Sequence, residues 1–343
     1  MGNRPESKRR PDDKRRSVTP RFLGLYPPPH PRMSNLSDTL FDNLPSGAVA
    51  IGNFDGVHLG HARLIEQLKK KAEQVGGPSI VFTFDPHPAA LLHPEKAPRP
   101  LTWKNRKARL LSSLGVDIIL FYPTDMQLLG MDAKTFFDEI LVNRMRVKAL
   151  VEGDNFVFGK DRLGDAEHLS KWTKESGVAL DVVPGVEYNG LRVSSSRVRS
   201  TISSGDVDSA NAMLIAPYRI RGMVVHGDAR GRTIGFPTAN IEAIDVLLPG
   251  EGAYVADVFL ASVSEGGKQT RKFRAMVHIG KNVTFNQNLP RVEAHILDFN
   301  EDLYGKVIKV DFLHRIRGVK RFDTVDELKT ELSADAQIAR EWK

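Results

Sequence analysis

AVAIGNFDGVHLGHARLIEQLKKKAEQ, residues 48–74, decides the fold: a short β-rich run, a glycine-rich turn, then an amphipathic stretch with Leu64, Ile65 and Leu68 on one helical face. The alternation continues. SIVFTFD (79–85), VDIILFY (116–122), VKALVEG (147–153) and VALDVVP (178–184) read as further strands, separated by helical segments such as DAKTFFDEILVNRM (132–145) and AEHLSKWTKES (166–176). Strands joined by crossover helices make a parallel sheet, so residues 45–215 are expected to form a doubly wound, Rossmann-like α/β domain. VDSANAMLI (207–215) reads as a short helix leading through Pro217 into a different texture. From there strands follow one another directly: YRIRGMVVHG, GAYVADVFLAS, KFRAMVHIG, RVEAHILDF and KVIKVDFLHRI. Without crossover helices these imply an antiparallel β-barrel over residues 216–343. A final helix from TVDELKTELSADAQIAREW closes it, with Leu328 and Leu332 facing inward.

A chain of 343 residues exceeds what one hydrophobic core usually supports, in keeping with two domains. The absence of Cys excludes disulfide frameworks and thiolate metal sites. No apolar run approaches the length of a membrane span, and the amino terminus lacks a signal-peptide core, so a cytoplasmic protein without a membrane partner is expected. The net charge of +7 is concentrated at one end, since residues 1–33 hold nine Lys or Arg against three acids. Residues 1–44 thus read as a basic, proline-rich, disordered extension, with Met33 preceding a more ordinary start. The rest is nearly neutral and shows no basic stripe with interleaved aromatics, so a nucleic-acid partner is not expected.

The turn GNFDGVHLGH (52–61) lies between the first strand and first helix, where open parallel sheets bind ligands. His58 and His61, three apart at a helix start, point the same way, and Gly52, Gly56 and Gly60 let backbone approach a phosphate. Imidazole N–H groups there can stabilise charge on a leaving pyrophosphate. An HxGH so placed is a signature of nucleotidyltransferases acting on the α-phosphate of ATP. VSSSRVRS (193–200) adds hydroxyls from Ser195 and Ser196 at a helix start, with Arg197 and Arg199 adjacent. Asp85 and His87 in FDPHP (84–88) stand evenly between a strand-ending turn and a nucleotide contact.

In the second half, GDARGRTIGFPTANI (227–241) is long and polar for a plain hairpin, and reads either as a phosphate loop or as a flexible turn. Its glycines allow N–H groups to wrap phosphates, Thr238 offers a hydroxyl to Mg²⁺, and Asn240 offers a carboxamide to metal or phosphate.

Taken together, GNFDGVHLGH, FDPHP, GDNFVFG (153–159), VSSSRVR, GRTIGFPTAN and VEAHILDF (292–299) resemble the prokaryotic bifunctional riboflavin kinase/FMN adenylyltransferase (FAD synthetase) family, from about Gly47 to the C-terminus. The resemblance implies phosphorylation of riboflavin to FMN in the barrel and adenylylation of FMN to FAD in the α/β domain. ATP is then co-substrate of both reactions, Mg²⁺ the cofactor, and riboflavin, FMN and ATP the partners. It places Gly52, Asn53, Phe54, Asp55, Gly56, His58, His61, Asn155, Phe156, Ser195, Ser196 and Arg199 in the adenylyltransferase site, preferring Arg199 to Arg197 by its spacing. It places Gly231, Arg232, Gly235, Phe236, Pro237, Thr238 and Asn240 in the kinase site, with Thr238 and Asn240 at the metal and Glu293 as catalytic base. Alternation along RVEAHILDF alone would make Glu293 an outward-facing strand residue. Two departures stand out: Ser196 where threonine is common, and Val283 where the family's IGxxPTF has proline, expected to loosen a turn and alter affinity. A class I aminoacyl-tRNA synthetase is excluded by the lack of a KMSKS-like loop. A protein with one active domain is opposed by the completeness of both motif sets.

Overall fold

A computed structural model of the chain describes residues 21–23, 41, 43–227, 230–264, 267–281 and 290–343. In the first half, β2 (Ala48–Ile51), β3 (Ser79–Asp85), β4 (Ile118–Pro123), β5 (Ala149–Gly153) and β8 (Ala179–Val183) form a parallel sheet. A three-residue strand, β1 (Arg21–Leu23), pairs with Ile118–Leu120 at the edge, so the order is β1-β4-β3-β2-β5-β8. The extension was expected to lack order throughout, and for Arg21–Leu23 this is corrected. An open edge of β4 would leave N–H and C=O groups unpaired, and the backbone of Arg21–Leu23 pairs with it there. Phe41 and Leu44 are also buried.

Helices cover both faces. Leu64, Ile65 and Leu68 of the Leu59–Gln74 helix pack on Ala48, Ala50 and Val151 on one side. Phe136, Phe137 and Ile140 pack on Val49, Ile51 and Leu150 on the other. The latter come from the expected helix over 132–145, whose greater part, Phe136–Arg144, is a π-helix; Met145 N–H reaches back to Ile140 O. Two small hairpins complete this half: β6 (Val157–Phe158) with β7 (Gly164–Asp165), and β9 (Glu187–Tyr188) with β10 (Leu191–Arg192).

The second half is a closed antiparallel barrel of six strands, β11 (Tyr218–Val225), β12 (Ala239–Glu242), β13 (Gly252–Ser264), β14 (Gly267–Lys281), β15 (Pro290–Ile296) and β16 (Val307–Arg317), in the order β11-β12-β15-β14-β13-β16. The sequence suggested five. The sixth, β12, is the tail of the GFPTAN loop, and it bridges β11 to β15 so that no edge is left. Helix Val325–Glu341 lies on the outside over Val255, Met276 and Leu297. Leu332 packs there and Leu328 is half-buried, but the most buried stripe is Asp335, Ala336 and Ala339. Asp335 is tolerated inside because Arg317 holds it at 2.6 Å.

The interior of the barrel is continuous with the first half. Val198, Ile202, Ala210, Met213 and Leu214 join Tyr254, Val258, Phe312 and other barrel residues in one apolar cluster. Asn211 stitches the junction, its amide donating to Phe312 O and its Oδ1 accepting from Tyr218 N–H, each at 2.8 Å. Phe312 is fully buried and edge-to-face with Tyr254. Phe312→Ala is expected to cost about 3–5 kcal/mol. Urea denaturation followed by hydrogen exchange should show β3 amides losing protection together with the barrel's, and a shift confined to barrel amides would show that the two halves unfold separately.

Candidate active sites

The loop between β2 and the first long helix is a strained turn built around one carboxylate. Phe54, Gly56 and Val57 have φ of +47°, +83° and +47°, a conformation unfavourable for a β-branched residue such as Val57. It is held because Asp55, itself buried, accepts from Leu101 N–H at 2.9 Å, Thr102 N–H at 3.1 Å and Thr102 Oγ1 at 3.0 Å, and is ion-paired with Arg199. Ser195 Oγ donates to the Asp55 carbonyl at 2.8 Å. Asp55 thereby joins the turn, residues 101–102 and the Ser195–Ser203 helix.

His58 caps the Leu59–Gln74 helix. Its Nδ1 accepts from His61 N–H and the Nδ1 of His61 accepts from His58 N–H, both at 3.3 Å, with the rings stacked at 3.6 Å. The intervening Gly60 is needed, since a Cβ there would lie 3.1 Å from His58 Cε1. Burial lowers the His58 pKa to about 4, and burial followed by the neighbouring His58 and Lys107 charges pushes His61 well below its usual value. Both rings are therefore neutral at pH 7. With each Nδ1 occupied as acceptor, the proton of each resides on Nε2, giving two parallel N–H donors at a helix N-terminus. They act as dipoles, not as cations.

Other predicted residues fall in varied settings. Gly52 N–H continues the ladder to Phe82 O, and the Asn53 carbonyl accepts from Lys107 Nζ at 2.6 Å and Thr83 Oγ1 at 3.2 Å, while Asn53 Oδ1 is buried without a partner. Phe54 packs against the His61 ring. Arg197 holds the β9–β10 hairpin through the carbonyls of Tyr188 and Leu191, in contrast to Arg199 beside Asp55. Ser196 is exposed, Asn155 is tied to Arg192 at the surface, and Phe156 stacks on Phe158. Of the residues left between turn and contact, His87 caps the short Pro88–Leu92 helix and Asp85 pairs with Lys104 at 2.7 Å. Burial lowers the His87 pKa, with the Asp55 charge opposing it and Arg199 and Lys107 adding to it, so His87 lies within reach of the same charged groups as the His58–His61 turn.

Sequence reasoning missed Lys107 and Thr102. The signal for Lys107 was a lysine among Ala108, Leu110 and Leu111 on the buried face of its helix.

The barrel site is on the outside. Interior positions are taken by Val292, Ala294, Val277, Ile279 and Ile241, so alternation sends Glu293 outward. There it stands directly opposite Asn240 on β12 and His278 on β14, forming a cross-strand row. Arg291 lies 3.4 Å from Glu293. Burial lowers the His278 pKa, with Glu293 acting against it. Asn240 is buried, and Thr238 lies two residues earlier, just before β12. The loop before them closes on itself: Phe236 N–H bonds to Gly231 O at 2.8 Å, and a Cβ at Gly231 would strike Phe236 O at 2.2 Å. Phe236 also meets the His295 ring, and His295 donates to Pro237 O at 2.8 Å. Arg232 and Gly235 are exposed at the loop tip, and Asp228, Ala229 and Val283 lie outside the described residues.

β11, β16 and the Lys104–Ser113 helix also bring together cations that the linear sequence kept apart. Arg106 and Arg109 approach Arg219, Arg221 and Lys309, and burial and the other four cations lower the Lys309 pKa. Asp311 and Asp245 offset Arg219 and Arg221. Phe259 and Trp103 lie against those two guanidinium groups.

Family models match both halves: "FAD synthetase" over residues 41–197 and "Riboflavin kinase" over residues 214–343. The bifunctional riboflavin kinase/FMN adenylyltransferase of Escherichia coli (strain K12) is 36% identical over 294 residues, 86% of this chain and 92% of that protein. The protein of the same name from Bacillus subtilis (strain 168) is 32% identical, over 85% and 90%. A crystal structure from Streptococcus pneumoniae, titled a macrolide-efflux protein, superposes with a TM-score of 0.78 at 37% identity, over 87% of this chain and 95% of that one. Its title describes that protein only; among the described residues here, no helix is long and apolar enough to cross a membrane.

Removing the Asp55 carboxylate leaves Arg199, 15% exposed, without its partner. Asp55→Ala is expected to cost about 3–5 kcal/mol in denaturant titration. His58 supplies a pH signature. Because its folded pKa of about 4 lies below the ordinary 6.5, the unfolded chain binds the proton more readily. Thermal stability should therefore fall as pH drops from 6.5 towards 4, and less steeply in His58→Asn.

Proposed function

The chain belongs to the bifunctional riboflavin kinase/FMN adenylyltransferase family, and we propose that its two reactions divide between the two sites described above. The protein makes FMN from riboflavin and FAD from FMN, using ATP. The division rests on one observation: each half holds its own set of reacting groups, a stacked pair of neutral imidazoles at a helix N-terminus and a carboxylate facing a carboxamide across two barrel strands.

In the α/β domain, a phosphate oxygen of FMN attacks the α-phosphorus of ATP and the bond to the β-phosphate oxygen breaks, releasing pyrophosphate. The nucleophile is already anionic, so no strong base is required. His58 and His61 donate Nε2–H to phosphate oxygens as charge moves onto the leaving group, with Lys107 supplying positive charge nearby. Arg199, oriented by Asp55, and the hydroxyl-bearing start of its helix face the polyphosphate. Asn155 and Phe156 hold nucleotide and flavin.

In the barrel, the terminal ribityl hydroxyl of riboflavin attacks the γ-phosphorus of ATP, the bond to the β-phosphate oxygen breaks, and ADP leaves. Glu293 takes the hydroxyl proton. Residues 231–238 wrap the phosphates. Thr238 and Asn240 fit Mg²⁺ in their chemistry: both offer hard oxygen donors, two residues apart where the loop enters β12. Bound there, Mg²⁺ neutralises charge on the transferring phosphates. The domains are assigned as residues 45–215 and 216–343, and the protein as cytoplasmic.

Chromatography of flavins formed from riboflavin, ATP and Mg²⁺, beside a reaction started from FMN, tests the assignment. Glu293→Gln should slow FMN formation by about 10²–10⁴-fold and leave FAD formation from FMN intact. His58→Ala should do the reverse, by about 10²-fold or more. Loss of both steps in either variant would refute the division.

A further inference from the structure

Strand order in the parallel sheet reverses between β2 and β5, because β3 and β4 lie on one side of β2 while β5 and β8 lie on the other. At such a reversal the strands part and leave the crevice in which open sheets hold ligands. Here β2 and β5 pair only at Ala48↔Ala149 and Val49↔Leu150, whereas β2 stays paired with β3 as far as Ile51↔Phe82 and β5 with β8 as far as Gly153↔Val183. Across the gap reaches Glu152, a residue that neither the resemblance nor the reaction scheme uses. Its Oε1 accepts the Ile51 N–H at 2.8 Å, standing in for the missing ladder acceptor. Its Oε2 is buried and has no partner, and the residue is 1% exposed.

We propose that Glu152 is a positioning residue of the adenylyl-transfer site, holding the end of β2 through Oε1 and offering Oε2 to the ATP lying in the crevice. The inference rests on the reading that this domain binds ATP. Ile51 immediately precedes the GNFDGVHLGH turn, so the hydrogen bond fixes the strand end from which the phosphate-binding imidazoles spring.

The surroundings select the protonated form. Glu152 shares the face of Leu150, where β3 and the Phe136–Arg144 helix contribute Phe82, Phe136 and Phe137. No charged side chain acts on it: burial pushes its pKa well above the usual value, and the Ile51 N–H is the only opposing influence. The nearest acids in sequence and register are committed elsewhere, Asp154 to Arg192 and Asp181 to Lys71. Asp181 lies opposite Val151, on the other face of the sheet. A neutral Glu152 is a donor at Oε2 that places no negative charge beneath the triphosphate.

Glu152→Leu removes both hydrogen-bonding roles, while Glu152→Gln keeps an acceptor and a donor without a titratable proton. The purified full chain should show about a tenfold rise in KM for ATP in FAD synthesis for Glu152→Leu, with kcat nearly unchanged, and recovery in Glu152→Gln. In the wild type, KM for ATP should climb at alkaline pH as Glu152 ionises, and in Glu152→Gln it should stay flat. Stability gives a readout independent of activity. A raised folded pKa means that the group's contribution is complete below 4.5 and lost as pH rises, so Glu152→Gln should have the higher Tm at pH 8, with the gap closing towards pH 4.5. FMN formation by the barrel reports that each variant is folded, and if Glu152→Leu fails that check, the pH profile and Tm of Glu152→Gln decide. The proposal is overturned if Glu152→Gln is as impaired as Glu152→Leu, or if Glu152→Leu lowers Tm without moving KM for ATP. A wild type that makes no FAD from FMN would instead overturn the adenylyltransferase reading.

Discussion

The Asp55 carboxylate is the interaction on which the α/β half depends. It takes two backbone N–H groups and a hydroxyl from residues 101–102 and is paired with Arg199. Those partners come from segments far apart in sequence, so one buried anion closes the GNFDGVHLGH turn over the sheet. Burying a carboxylate is costly unless its lone pairs are filled, and here they are. The same contact passes to the barrel, because Val198 and Ile202, on the helix that carries Arg199, belong to the cluster that fills the barrel. The strained backbone at Phe54 and Val57 persists because the surrounding contacts overdetermine it.

The two candidate sites occupy different surfaces for a packing reason. A parallel sheet is covered on both faces by helices, so its ligands enter at the carboxyl ends of the strands, where the His58 and His61 turn lies. A six-stranded barrel fills its interior with side chains such as Tyr254 and Phe312, leaving chemistry to the outer face and its loops. Glu293 and Asn240 occupy adjacent strands there, while the C-terminal helix covers another part of the outside around Met276. Histidine also differs in setting between the sites. Burial lowers the pKa of both His58 and His61, whereas His278 beside Glu293 feels burial and a carboxylate in opposition.

Much of this was legible in the sequence. Helical and strand periodicities located the main strands of the sheet and most of the barrel because these elements are long or strongly amphipathic. The strand β12 was not legible: its four residues, ANIE, gain strand geometry only by bridging β11 and β15. The edge strand Arg21–Leu23 was hidden inside a charge-rich extension whose composition argues for disorder. The π-helix at Phe136–Arg144 carries an apolar face that reads as an ordinary helix. Glu152 looks like a surface charge in a string of letters and is buried in the fold.

The sequence by itself determined the two-domain plan, the HxGH turn after a strand, the GFPTAN loop and the glutamate in RVEAHILDF, because periodicity and motif spacing are local properties of the chain. Only the tertiary structure decided which side chains meet: Asp55 with Arg199 across 144 residues, Glu293 with Asn240 in register, Glu152 with Ile51 at the strand reversal, and the cations Arg106, Arg109, Arg219, Arg221 and Lys309 with one another. These contacts depend on strand order and register, which are set by long-range packing. Burial then shifted the proton affinity of His58 and His61 down and that of Glu152 up, because the loss of water around an ionisable group is a property of the folded neighbourhood and not of the residue.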